Sequence, residues 1–135
     1  MKKNEALDST NPIGLEVINL RKERIAEVDK SIEEQKAKIE FAEAIKELRK
    51  DPRFLLVIEN GYFEGEGKRI TECLLEPTPL KRDQIQNMVD MISSIRNLKT
   101  FLMFKENDGG NALHEIESLE EYRTRINSGE FDEQE

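Results

Sequence analysis

LEVINLRKERIAEVDKSIEEQKAKIEFAEAIKELRK, residues 15–50, is the stretch on which the fold turns. It holds no proline and no glycine. Ile18, Ile25, Ile32 and Ile39 fall at strict sevens, one seam of a heptad repeat, and the companion seam reads Arg21, Val28, Gln35 and Ala42. Such a repeat predicts one long amphipathic, coiled-coil-like helix over 13–50 that winds against another helix. Beyond Ile39 the apolar positions shift to Phe41, Ala42, Ala44, Ile45 and Leu48. That broader face suits packing on a body.

Length sharpens the question of what covers the stripe. Residues 15–50 as a helix span roughly 54 Å at 1.5 Å per residue. A compact chain of 135 residues has a diameter of about 37 Å. The helix should therefore protrude. Each buried isoleucine is worth about 1.5–3 kcal/mol, so the stripe needs shelter. Either later helices fold back along it or another subunit covers it. The expectation adopted is the second, with Ile18, Ile25, Val28, Ile32 and Ile39 as a partner or oligomer interface.

Working outward, Asp51-Pro52 pairs a good N-cap with a good first helical residue. The apolar run Phe54-Leu55-Leu56-Val57-Ile58 then meets Asn60-Gly61, which serves equally as a helix C-cap or a β-hairpin turn. The capping pair favours helices over 52–60 and 65–76, and a hairpin over 53–70 is the alternative. Thr78-Pro79 should start a helix over 79–106. On it Met88, Met91, Ile95, Leu98 and Leu102 follow a 3-4 spacing, while Ile85, Val89 and Ile92 widen the face. A helix this apolar is a core helix or the centre of an interface. Asn107-Asp108-Gly109-Gly110 should end it, and Ser128-Gly129 should end a last helix over 112–127.

The expected chain is thus all-α: a disordered 1–12, the long helix 13–50, a helical body 51–127 and an acidic tail 128–135, mobile over 130–135. The candidate body core is Phe54, Leu55, Ile58, Tyr62, Phe63, Leu74, Met88, Ile92, Ile95, Leu98 and Leu102.

Composition restricts the function classes. The chain is 37% charged with a net charge of -8. Residues 111–135 hold eight acids and two bases. A nucleic-acid reader needs a cationic face, so direct nucleic-acid binding is not expected. No apolar run is long enough to cross a membrane and the first residues lack a signal-peptide core, which places the protein in the cytoplasm. The glycines from Gly61 to Gly67 have the wrong spacing for a phosphate loop, and Glu64 and Glu66 would repel phosphate. Asn107-Asp108-Gly109-Gly110-Asn111 lacks the spaced carboxylates of a calcium loop. Glu33-Glu34 and Glu120-Glu121 point apart on a helix. Cys73 and His114, each the sole residue of its type, are read as a small apolar residue and a surface residue. No catalytic residue, cofactor or metal ligand is expected.

The stretch from Asp51 through Phe63, continued by Lys68-Arg69-Ile70, resembles small helical proteins encoded among the structural genes of tailed bacteriophages. The likeness rests on a proline and phenylalanine, an apolar turn, Gly61-Tyr62-Phe63, and a basic residue before an aliphatic one. Gly65 and Gly67 depart from the pattern. The resemblance implies a virion or assembly component, such as a scaffold, head decoration or portal-associated protein. It also implies that Tyr62 and Phe63 pack at a helix–turn–helix corner. The expected function is therefore structural and non-enzymatic, with partners being further copies of the chain or other protein subunits. The alternative is an acidic regulator, led by residues 111–135, that masks a basic nucleic-acid-binding partner.

Overall fold

The computed structural model describes residues 12–132, with side chains from residue 14 onward. In chain order it comprises α1 (Pro12–Lys50), α2 (Pro52–Phe54), a π-helical segment (Leu55–Glu66), α3 (Gly67–Leu75) and α4 (Arg82–Asn127). The fold is all-α, with no strand among the described residues. The hairpin considered over 53–70 is replaced by continuous helix from Pro52 to Leu75. The expectation of disorder at 1–11 and the last residues of the acidic tail, 133–135, lie outside the described residues.

The chain divides into two compact units, and their limits differ from the arm and body expected at 13–50 and 51–127. Unit 1 combines Met1–Lys38 with Gly110–Glu135, and unit 2 is Ile39–Gly109.

In unit 1 the first part of α1 is covered by the last part of α4. Val28 and Ile32 are buried with Ile126, which is only 1% exposed, and Ile25, Ile116, Leu119 and Phe131 pack around them. The pairs Arg21–Asp132, Arg24–Phe131 and Asp29–Arg123 run in opposite senses along the sequence, so the two segments are antiparallel. The chain's own later helix thus shelters the centre of the isoleucine stripe. Helix α4 is 46 residues long and has ample reach.

The turn 128–132 closes unit 1. Arg21 donates from Nε to Asp132 Oδ1 at 3.0 Å and from Nη2 to the other carboxylate oxygen, while Arg24 donates to the Phe131 carbonyl at 3.0 Å. Arg125 holds Glu130 through two bonds of 2.7 and 2.8 Å, and its guanidinium lies 5.0 Å from the Phe131 ring centroid. Gly129 has φ of 83°, and a Cβ there would meet Arg21 Nη2 at 2.8 Å and Asp132 Oδ2 at 2.9 Å. Glu130, Phe131 and Asp132, the described part of the acidic tail, thus make hydrogen bonds to Arg125, Arg24 and Arg21.

Unit 2 has its own core of Ile45, Phe63, Ile70, Ile95 and Leu102, with Phe54, Ile58, Tyr62, Met88 and Leu98 packed against it. Asp51 caps as the sequence suggests: its carboxylate accepts from the Arg53 amide at 2.8 Å, and Pro52 is the first helical residue. The hydrogen bond from the Arg53 side chain, followed by that amide, holds the Asp51 carboxyl below the ordinary range. The π-helical segment then sets which side chains face inward. It has roughly 4.4 residues per turn, because each bond spans i to i+5. Phe54 and Phe63 are nine positions apart, about two turns of this wider helix but two and a half of an α-helix. They reach the same core only through the wider winding. Gly61 and Gly65 suit it, since a Cβ at either would lie 3.1 Å from the carbonyl oxygen of Leu56 or Asn60.

Two expected breaks are absent. Asn60-Gly61 ends nothing, and Asn107-Asp108-Gly109-Gly110 lies inside α4. Among the described residues Gly129 is the glycine at positive φ, so none of these glycines forms a left-handed cap. Two helical glycines cost about 1 kcal/mol each relative to alanine. The helix nonetheless runs through the pair, between the buried residues Leu102 and Ala112. The start of α4 also moves. Lys81 takes the N-cap place, its amide donating to Gln84 Oε1 at 2.9 Å, where Thr78-Pro79 had been expected.

Candidate functional site

The sequence named sixteen interface or core residues, and the structure distributes them unevenly. Of the stripe, Val28 and Ile32 are buried, while Ile18, Ile25 and Ile39 are half-buried. Of the body core, Phe63, Ile95 and Leu102 are buried, and Phe54, Ile58, Tyr62, Met88 and Leu98 are partly so. Leu55, Leu74 and Ile92 are instead exposed, which corrects their assignment to the core. Leu55 is turned outward by the π winding that brings Phe54 and Ile58 in. Leu74 stands beside Leu75 at the end of α3. Ile92 lies on a second face of α4. Absent from the named core were Ile45, Ile70 and Ile126, three of its most buried members. The signal for Ile70 was its seven-residue distance from Phe63.

No buried polar or charged residue and no cluster able to hold a metal occur among the described residues. Cys73 is half-buried in unit 2 and His114 is exposed in unit 1. Unit 1 has an open groove of about 520 Å³ bordered by Asp29, Glu33, Lys36, Glu120 and Arg123. Its charges are largely engaged with one another: Arg123 meets Asp29 at 2.9 Å and Lys36 meets Glu33 at 3.4 Å.

Unit 2 carries the chemistry of an interaction surface. Fourteen of its large apolar residues are exposed, among them Leu56 at 68% and Leu75 at 78%. Single exposed apolar residues need no explanation, but aligned ones do. Phe41 and Phe101 meet edge to face at 6.0 Å, and Lys105 Nζ lies 5.9 and 5.8 Å from their centroids. On α4 the exposed residues Arg82, Ile85, Val89, Ile92, Arg96, Lys99 and Met103 follow alternating steps of three and four. That spacing places them on one face of the helix, a seam whose apolar members Ile85, Val89, Ile92 and Met103 stay exposed while Ile92, Arg96 and Lys99 border α3. The first apolar seam of the same helix, through Ile95 and Leu102, faces the core.

No known protein family, curated protein sequence or solved structure matches this chain. No helix among the described residues is long and apolar enough to cross a membrane.

Proposed function

We propose that this chain is a non-enzymatic structural or assembly protein that acts by binding another protein subunit through unit 2. The observation that carries the reading is the exposed apolar seam on α4, Ile85, Val89, Ile92 and Met103. Solvent-facing apolar residues at this regular spacing are costly to keep on a free surface and suit a helix-on-helix contact. The likeness of Asp51–Ile70 to small helical phage proteins supports a narrower version, a component of a tailed-phage virion or of its assembly. Self-association through the isoleucine stripe is less favoured, because Val28 and Ile32 already pack on Ile126. An acidic regulator is also less favoured, since Glu130 and Asp132 are held by Arg125 and Arg21.

The test is co-purification of the tagged chain from its native cell, with quantification of stoichiometric subunits. The comparison is a variant carrying Ile85→Gln and Val89→Gln with an unchanged thermal melt. Loss of a subunit in the variant is expected. The same proteins recovered with both, or none with either, would overturn the reading. Light scattering at micromolar concentration addresses self-association separately, and a strict monomer would eliminate that branch.

A further inference from the structure

The charges on the α4 seam specify what can lie against it. In unit 2 Arg49, Arg53 and Arg69 each meet a carboxylate: Glu106 and Glu59, Asp51, and Glu66. Arg82 and Arg96 have no such partner among the described residues, and both sit on the seam, flanking Ile85, Val89 and Ile92. Lys99 makes no ion pair there either, its Nζ lying 5.3 Å from the Phe63 ring centroid. Beside these cations a groove of about 330 Å³ runs between α3 and α4, lined by Gly67, Thr71, Ile92, Ile95, Arg96 and Lys99. A Cβ at Gly67 would meet nothing within 4 Å, so the groove is open at that wall. An apolar centre with positive charge at both ends is thus left unpartnered in a chain whose net charge is -8.

A second copy of the same seam fits poorly in the two registers that lay apolar centre on apolar centre. Paired antiparallel about Val89, it would set Arg82 against Arg96. Paired parallel, it would set Arg96 and Lys99 against themselves. Like charges brought together in a drying interface oppose association. We propose that the seam docks an amphipathic helix of a different protein, apolar at its centre, with carboxylates facing Arg96 and Lys99. Carboxylates there would neutralise cations that must lose water on contact, and they would exclude basic helices. This rests on the protein-binding reading above and adds the chemistry of the partner.

The experiment uses the full chain and a labelled synthetic peptide of three heptads. The peptide has leucine at its central seam positions and glutamate at the two positions facing Arg96 and Lys99. A second peptide carries lysine at those two positions. Fluorescence anisotropy should show saturable binding of the glutamate peptide, at least about tenfold tighter than the lysine peptide, weakening as salt rises. The Arg96→Glu, Lys99→Glu chain should reverse the preference. Arg96→Gln, a milder change, should reduce glutamate-peptide binding severalfold with the circular dichroism spectrum unchanged. Equal binding of both peptides, no binding of the glutamate peptide, or dimers that Val89→Gln abolishes would each overturn the proposal. Failure here, with the subunit still captured in the co-purification, would reject the charge rule and leave the protein-binding reading standing.

Discussion

Truncating Leu56 and Ile58 separately discriminates the π winding from an ordinary helix. In an α-helical register Leu56 lies seven positions before Phe63 and would share its inward face. In this structure Leu56 is 68% exposed and Ile58 packs on the core. A fully buried isoleucine cut to alanine costs about 2–5 kcal/mol, and half-burial of Ile58 reduces this to roughly 1–2.5 kcal/mol. Leu56→Ala falls in the surface class, within about 0.5 kcal/mol, and the better helix propensity of alanine offsets part of that. With a urea m-value of about 2 kcal/mol/M, Ile58→Ala should lower the unfolding midpoint by roughly 0.5–1.2 M. Leu56→Ala should move it by less than about 0.25 M. Far-UV circular dichroism in urea reads both. A Leu56→Ala loss equal to or larger than that of Ile58→Ala would refute the winding, and with it the inward placement of Phe54.

The turn 128–132 should respond to acid. The hydrogen bonds from Arg21 and Arg125 hold the Asp132 and Glu130 carboxyls below the ordinary range. A lowered folded pKa means the stabilisation is complete above the unfolded values, about 3.9 and 4.3. It is then lost as pH falls through the lowered ones. Hydrogen-exchange protection at 128–132, taken relative to the intrinsic rate at each pH, should fall below about pH 4, whereas Asp132→Asn should be less protected already at neutral pH and respond less to acid. Gly129→Ala should destabilise the same turn by about 1–2 kcal/mol, since alanine is strained at positive φ and its Cβ would press on the Arg21–Asp132 pair. Thermal melts that place it level with the wild type would contradict the turn's geometry.

The first helix was legible because thirty-six residues free of proline and glycine leave few alternatives. A heptad pattern also says that a helix will cover the stripe, but not whose helix. That answer lay in Ile126 and Phe131, about a hundred positions away. The companion seam looked poor for a related reason. Arg21, at the edge of the core, meets Asp132, and 111 positions separate the two. Within the continuous apolar run Phe54–Ile58 nothing local separates Leu55 from its inward neighbours, and only glycines that also suggest turns announce a wider winding. At Gly109-Gly110 local propensity spoke for a break, yet the helix runs through. The α4 seam was visible as a widening of the apolar face. Its exposure was not, since spacing cannot say which of two adjacent faces points inward.

The cover on the isoleucine stripe is also a matter of timing. Val28 and Ile32 leave the ribosome more than ninety residues ahead of Ile126, which buries them. At about 5–20 residues per second the interval is roughly 5–20 s. Throughout it a nascent chain displays a bare heptad stripe, open to a chaperone or to the chain growing on the neighbouring ribosome. The arrival of Ile126 then closes that window.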